Sequence, residues 1–226
     1  MERNVIYTHS LQGKVTLPPR KEILRYLGHR GEVTDEVNRM IDVCLPYSSE
    51  KSVPKSAFVI KKINMMPSGV CIDGTELKST ALKKNLDGCE EAIIFASTIG
   101  AETDRFISAQ FAISPANAII ADAIATATVE HYCDMLFKEL GLSFEKEELF
   151  LRPRFSPGYG DLTLDNQKFF IEQTDASKRC GIYLTHSMML TPAKSITGIT
   201  GLSKTNIGCP PSGCEMCSKK NCKFKR

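Results

Sequence analysis

Hydrophobic residues recur at helical spacing in two long segments of the chain. The first segment runs from Asp35 to Tyr47, with Thr34 placed to cap its N-terminus. The second begins at Pro115 and is predicted to end near Leu140, where Gly141 follows. Its apolar stripe consists of Ile119, Ile120, Ala123, Ile124 and Ala127. We therefore predict one long helix over about 115–140, packed against the rest of the protein along this stripe.

Shorter apolar runs predict the remaining elements. The strands are expected at 56–61, 70–72, 91–98, 181–184 and 195–199, and shorter helices at 21–27, 79–86, 102–111 and 165–174. The first nineteen residues are predicted to form an extended arm or an edge strand. Helices and strands are mixed without a βαβ rhythm, which favours an α+β fold with a central antiparallel or mixed twisted sheet. No Gly-x-Gly-x-x-Gly follows a strand, so a Rossmann-type adenosyl site is not expected.

Composition and charge narrow the class of protein. The chain has 226 residues, of which 42% are hydrophobic and 24% charged, as in an ordinary globular domain. Residues 1–204 are predicted to form that domain. The start has no signal-peptide pattern and no stretch is long and apolar enough to cross a bilayer, so we expect a cytoplasmic protein without a membrane partner.

The net charge of +3 is concentrated at the C-terminus. Five basic residues and one acidic residue lie in 208–226, which leaves the remainder of the chain at −1. Because a nucleic-acid interface requires a basic face on the fold, no nucleic-acid partner is expected.

Nine cysteines fall into two groups. Five are scattered and are expected to be buried as small apolar residues: Cys44, Cys71, Cys89, Cys133 and Cys180. The other four lie within fourteen residues of the C-terminal tail: Cys209, Cys214, Cys217 and Cys222. Four thiols at this spacing can bind zinc tetrahedrally or hold an iron-sulfur cluster, and a disordered or redox-active tail is the alternative. We therefore predict a metal-binding tail over 205–226.

A loop from Arg154 to Tyr159 contains residue types that suit a small-molecule site. Arg154 can bind a carboxylate with two parallel donors, Pro157 stiffens the loop, and Gly158 permits close approach of the backbone to a ligand. Tyr159 provides a flat ring with a polar end. By itself this spacing is also compatible with an ordinary surface turn.

The wider context resembles a known family. The sequence LRPRFSPGYGD (151–161), followed by GIYLT (181–185) and MLTPAKSITG (189–198), is similar to the S-adenosylmethionine-binding activation domain of cobalamin-dependent methionine synthase. The resemblance is clearest over 121–202 and does not include the tail.

The resemblance implies roles for particular residues. Arg154, the Ser156 backbone and Gly158 would bind S-adenosylmethionine, and Tyr159 would lie toward the corrin ring as the catalytic candidate. Asp122 and Glu130, eight residues apart on the long helix, would face the partner protein, although two solvated acids are the alternative for this pair. Thr126 stands where such proteins often carry a further acid.

The expected activity is methyl transfer from S-adenosylmethionine to cobalamin. The chain lacks the cobalamin-binding Asp-x-His-x-x-Gly signature, so cobalamin would be supplied by a separate methionine synthase or another corrinoid protein. A flavodoxin-like or ferredoxin-like protein would donate the electron for reductive methylation. The alternative is an iron-sulfur redox protein that activates a corrinoid protein without methyl transfer. A zinc-tailed nucleic-acid module is disfavoured by the charge of the body.

Overall fold

The computed structural model describes residues 1–11, 16–29 and 31–206. Its elements are β1 (Ile6–Ser10), α1 (Arg20–Tyr26), α2 (Asp35–Lys51), β2 (Lys55–Lys62), β3 (Asn64–Met66), β4 (Gly69–Ile72), β5 (Thr75–Lys78), α3 (Thr80–Asn85), β6 (Cys89–Thr98), α4 (Ala101–Ile113), α5 (Pro115–Glu145), β7 (Phe150–Leu151), α6 (Gln167–Thr174), α7 (Ala176–Cys180), β8 (Tyr183–Leu184), β9 (Leu190–Thr191) and β10 (Ser195–Ser203). A 3-10 turn over Leu164–Asn166 leads into α6. The fold is α+β, as predicted.

Five strands form the main sheet, in the order β1-β2-β6-β10-β7, and every neighbouring pair is antiparallel. The central strands β2 and β6 are buried along most of their length. Because both faces of these strands are covered, they read as apolar runs rather than as alternating patterns. A second sheet, β3-β4-β5, packs on the same body.

The two faces of the main sheet pack against different elements. On one face, Phe58 and Phe95 pack against the C-terminal half of α5, including Phe137 and Phe144. On the other face, neighbouring side chains of the same strands pack against α3, α6 and the small sheet. The alternation of side chains along a strand therefore places helix α5 on one side and the smaller elements on the other.

The N-terminal half of α5 packs against α1 and α2. Ile120 and Ile124 on α5 meet Ile23 of α1 and Ile41 of α2. Ile119, which was assigned to the same stripe from sequence, is 57% exposed. The buried stripe is therefore narrower at this point than the sequence indicates.

Two helices run further than predicted. Helix α5 continues through Gly141 to Glu145, because Phe144 is fully buried in the core and holds the last turn in place. Helix α2 continues through Pro46 to Lys51. Of the scattered cysteines, four are buried and Cys71 is half-buried. No helix among the described residues is long and apolar enough to cross a membrane.

Candidate functional site

The Arg154–Tyr159 loop is attached to the main sheet beside β10. Phe155 and Ile199 exchange two backbone hydrogen bonds, each 2.8 Å long. The loop then turns: the Tyr159 N–H donates to the Ser156 carbonyl at 3.2 Å, and the Gly158 N–H donates to the Leu162 carbonyl at 2.7 Å. These bonds fix the backbone of the predicted site on a rigid sheet.

Two glycines allow this arrangement. Gly158 has φ of 92°, a conformation that residues with a Cβ rarely adopt. Gly198 lies on β10 directly beneath the loop, where an added Cβ would be 2.8 Å from the Phe155 carbonyl oxygen and 2.9 Å from Ser156 Oγ. The absence of a side chain at Gly198 lets the loop lie close to the sheet.

Asp161 anchors the end of the same loop to α3. Its carboxylate accepts hydrogen bonds from Ser79 Oγ, from the Thr80 N–H at 2.7 Å and from the Ala81 N–H at 3.1 Å. The hydrogen bond from Ser79, followed by those from Thr80 and Ala81, holds the pKa of Asp161 well below its usual range. Asp161 thus caps the first turn of α3 and ties the loop to it.

Arg154 lies over one face of α5. Its Nη2 donates to Asp134 Oδ1 at 2.6 Å and to Glu130 Oε2 at 3.3 Å. The guanidinium carbon is 5.6 Å from the centre of the Phe137 ring, within the range of a cation–π contact. Two carboxylates and one aromatic ring of α5 therefore hold the Arg154 side chain against this helix.

The second terminal nitrogen of Arg154, Nη1, makes fewer hydrogen bonds than Nη2. Its Nη1 is buried and has no hydrogen-bond partner within the described part of the chain. Burial lowers the pKa of Arg154, but the neighbouring Cys133, Glu130 and Asp134 raise it by more, so the guanidinium stays charged. Burial raises the pKa of the Cys133 thiol to about 11.

A second cation lies on the same face of α5, nearer its N-terminus. Lys194 Nζ is 2.8 Å from Asp122 Oδ1 and 3.0 Å from Thr126 Oγ1. The Lys194 carbonyl accepts from the Ile99 N–H at 3.1 Å, which holds the β9–β10 connection in place. Asp122 remains 52% exposed despite this ion pair.

The two cations share one row of side chains on α5. The row consists of Asp122, Thr126, Glu130 and Asp134, each four residues from the next. Such a spacing turns by only about 40° per step and rises about 18 Å in total. The predicted Asp122 and Glu130 are thus brought onto one face, but each is paired with a cation from a different loop.

Sequence reasoning missed Asp134, Lys194 and Gly198 as site residues. Asp134 follows Glu130 by four residues, so helical spacing alone was a signal for it. Lys194 and Gly198 lie within the motif 189–198, but nothing local indicates what they contact. Their roles depend on the long-range pairing of β10 with the loop.

The remaining predicted residues are placed as follows. Ser156 lies between Gly198 and the turn, and Tyr159 is 53% exposed at the loop surface. The four tail cysteines, Cys209, Cys214, Cys217 and Cys222, lie outside the described residues. Within the described residues there is no group of three or more metal-binding side chains.

A separate cavity of about 670 Å³ lies where β10 ends, with Leu202 and Lys204 in its wall. Its charged groups are largely paired with one another. Arg3 contacts Glu91 at 2.9 Å and Glu147 at 3.1 Å, and Lys204 contacts Glu90 at 3.2 Å. None of the predicted site residues lines this cavity.

Comparison with known proteins identifies the fold. No family model and no curated protein matches the sequence significantly. A solved structure described as the MetH reactivation domain bound to AdoHcy is similar over 88% of this chain and 78% of its own, with a TM-score of 0.61. The chain has the fold of that reactivation domain. Since the identity is 16%, the likeness concerns the fold.

Proposed function

We propose that this chain binds S-adenosylmethionine at the Arg154–Tyr159 loop and serves as an activation subunit for a separate corrinoid protein. The observation that carries the proposal is the position of Arg154. On a fold shared with a domain that binds AdoHcy, the arginine of the sequence motif has a buried donor, Nη1, that lacks a partner among the described residues. An unpaired buried donor is unfavourable by about 1–3 kcal/mol, and a ligand carboxylate would remove that cost.

The loop residues suit the ligand chemically. Arg154 presents a planar donor to a carboxylate, the Gly158 backbone is open to close approach, and Tyr159 exposes its ring. S-adenosylmethionine supplies an already activated sulfonium methyl group, so the protein mainly has to hold and orient it. The scarcity of acid–base pairs at this loop agrees with such a role.

The acceptor is proposed to be cobalamin carried by a methionine synthase or another corrinoid protein. One electron reduces cob(II)alamin to cob(I)alamin, which takes the methyl group and leaves S-adenosylhomocysteine. We propose that Asp122 and Glu130 face this partner and that Tyr159 lies toward the corrin ring. The exposed carboxylate of Asp122 and the exposed ring of Tyr159 are compatible with that orientation.

We further propose that residues 205–226 form a metal-binding tail. The support is the sequence, in which four thiols and five basic residues are concentrated in a short segment. An iron-sulfur cluster there would be an electron source for the corrinoid protein in place of a flavodoxin-like or ferredoxin-like donor. If the methyl-donor site is inactive, such a cluster alone would make the protein a reductive activator.

Calorimetry with S-adenosylhomocysteine tests the ligand site. Arg154→Ala is expected to weaken binding by about 10- to 100-fold, because a charge-assisted hydrogen bond is lost. Arg154→Lys keeps the charge but not the planar donor, so it should recover only part of the affinity.

Arg105→Ala is the matched control, since Arg105 is exposed and pairs with Glu102 on the surface of α4. It should bind like the wild type. A wild-type protein that gives no binding heat with S-adenosylhomocysteine or S-adenosylmethionine would overturn the proposal. So would an Arg154→Ala variant that remains folded and binds with unchanged affinity.

A further inference from the structure

The C-terminal end of the Arg154–Tyr159 loop is attached to α3. Asp161 follows the loop by two residues, and its Oδ1 accepts hydrogen bonds from Ser79 Oγ and, at 3.1 Å, from the Ala81 N–H. Its Oδ2 accepts from the Thr80 N–H at 2.7 Å. Both oxygens of the carboxylate are therefore bound, and both backbone donors lie in the first turn of α3, where N–H groups have no partner within the helix.

The backbone between the loop and Asp161 contains two glycines with positive φ. Gly158 has φ of 92° and Gly160 has φ of 54°. A Cβ added at Gly160 would lie 2.8 Å from the Ala81 Cβ, so the backbone lies directly against the first turn of α3. Glycine restricts the backbone least of all residues, so segment 158–160 keeps one conformation through its contacts and not through its own backbone preference.

Helix α3 is a rigid support for these contacts. Leu82 is fully buried in the same core cluster as Phe155 and Leu162, which are the apolar residues on either side of the turn. Ser79 is 2% exposed, and its Oγ accepts from the Leu82 N–H at 2.9 Å while it donates to Asp161. The site loop is therefore fixed on the main sheet at one end and on α3 at the other.

We infer that Asp161 is a positioning residue of the ligand site, which holds the backbone of Gly158 and Tyr159 in its ligand-binding conformation by bonding to the first turn of α3. This rests on the proposed function and adds to it a residue that acts through the loop. Because an ordered loop loses little conformational freedom when a ligand binds, release of the loop weakens binding without removing any ligand contact.

Hydrogen exchange of backbone amides tests the contact with α3 in the absence of a ligand. The Gly158 and Leu162 amides make the hydrogen bonds of the turn, 2.7 and 3.1 Å long. In Asp161→Ala they should exchange about tenfold faster than in the wild type, because the turn opens more often. The Ile199 amide, bonded to Phe155 on the sheet at 2.8 Å, should keep the wild-type rate. Unchanged exchange at Gly158 and Leu162 would overturn the inference.

Calorimetry with S-adenosylhomocysteine measures the effect on the ligand site. Asp161→Ala should raise the dissociation constant about tenfold, the effect of ordering the loop only when the ligand binds. Asp161→Asn keeps one acceptor oxygen, so its dissociation constant should lie between those of Asp161→Ala and the wild type. Asp165→Ala is the matched control, because Asp165 is an exposed acid four residues further along that bonds to none of the described residues. It should bind like the wild type.

Exchanging a methyl group between positions 160 and 81 separates the position of the loop from the stability of the protein. Gly160→Ala brings two Cβ atoms within 2.8 Å, so it should displace the loop from α3 and raise the dissociation constant about tenfold. Ala81→Gly keeps the backbone N–H that bonds to Asp161. It should lower the urea midpoint, since glycine weakens a helix, and leave the dissociation constant within about twofold. The double variant should bind more tightly than Gly160→Ala, because the opposing methyl group is gone.

The outcomes distinguish a positioning role from a contribution to stability alone. In the latter case affinity follows stability, so Ala81→Gly would bind more weakly than the wild type and the double variant no better than Gly160→Ala. Either result would overturn the inference and leave the proposed function standing, as would a folded Asp161→Ala variant with wild-type affinity. If the wild type binds no S-adenosylhomocysteine, the proposed function fails and the inference with it.

Discussion

At Gly198 a missing side chain sets the distance between the site loop and the sheet. Gly198→Ala would place a Cβ 2.8 Å from the Phe155 carbonyl oxygen, which belongs to backbone and cannot turn aside. We expect the variant to lose about 1–3 kcal/mol of unfolding free energy, as for an overpacked core, and to bind S-adenosylhomocysteine more weakly. Urea unfolding and calorimetry measure the two effects.

Gly141→Ala is the control for Gly198→Ala. Gly141 lies inside α5, and its added Cβ would be 3.6 Å from Leu151 Cδ1, an ordinary contact. This variant should be neutral or more stable by up to about 1 kcal/mol, because alanine favours the helix. Equal stability of Gly198→Ala and the wild type would show that the loop does not depend on this close approach.

Single residues also show which features of the site could be predicted from the sequence and which could not. Arg154 and Gly158 were predicted as site residues because their chemistry suits a ligand and because the surrounding sequence resembles a family that binds one at this loop. The pairing of Arg154 with Glu130 and Asp134 was not predicted, because these residues are twenty or more positions apart and meet only when the loop packs over α5. Residue type indicates what a side chain can bind, but not which neighbour it meets.

At the scale of elements, the longer helices and strands were predictable, whereas their ends and the short elements β3, β5, β7, β9 and α7 were not. Apolar runs predicted β2 and β6, because these strands are buried on both faces, whereas β10 is rich in serine, threonine and glycine and was predicted only over 195–199. Gly141 was wrongly predicted to close α5, since the burial of Phe144 outweighs the weak helix propensity of one glycine. At the end of α5 that lies over the sheet, burial of side chains in the core therefore determines where the helix ends, rather than the intrinsic helix propensity of its residues.

Helix α5 presents one row of polar side chains whose N-terminal end carries Asp122. If that end faces the corrinoid partner, Asp122→Asn should weaken binding of a cobalamin-loaded corrinoid protein by roughly tenfold and leave S-adenosylhomocysteine binding unchanged. Lys194→Met is the matched control, because it breaks the same ion pair but keeps the carboxylate. Equal losses in both variants would assign the effect to the ion pair instead, and no loss in Asp122→Asn would exclude the contact.

At the scale of the whole molecule, strand β10 links the proposed ligand site to the C-terminal tail. Lys194 precedes the strand, Gly198 and Ile199 support the loop, and the strand ends at Ser203, shortly before the cysteine-rich segment begins. One continuous segment of chain therefore joins the proposed ligand site to the tail. The tail cysteines can be changed without altering any residue of β10, because all four follow Ser203 in the sequence.

The tail should bind metal without contributing to the ligand site. Protein purified without oxygen is expected to contain zinc or an iron-sulfur cluster, distinguished by metal analysis and by a visible absorption band that only the cluster gives. The double variant Cys214→Ser/Cys217→Ser should lose the metal, because two of four ligands are removed, and should still bind S-adenosylhomocysteine. Cys71→Ser, outside the tail and half-buried, should keep the metal.

A metal-free wild type, or full retention of metal in the double variant, would contradict a metal-binding tail. Loss of S-adenosylhomocysteine binding in that variant would show instead that the tail forms part of the ligand site.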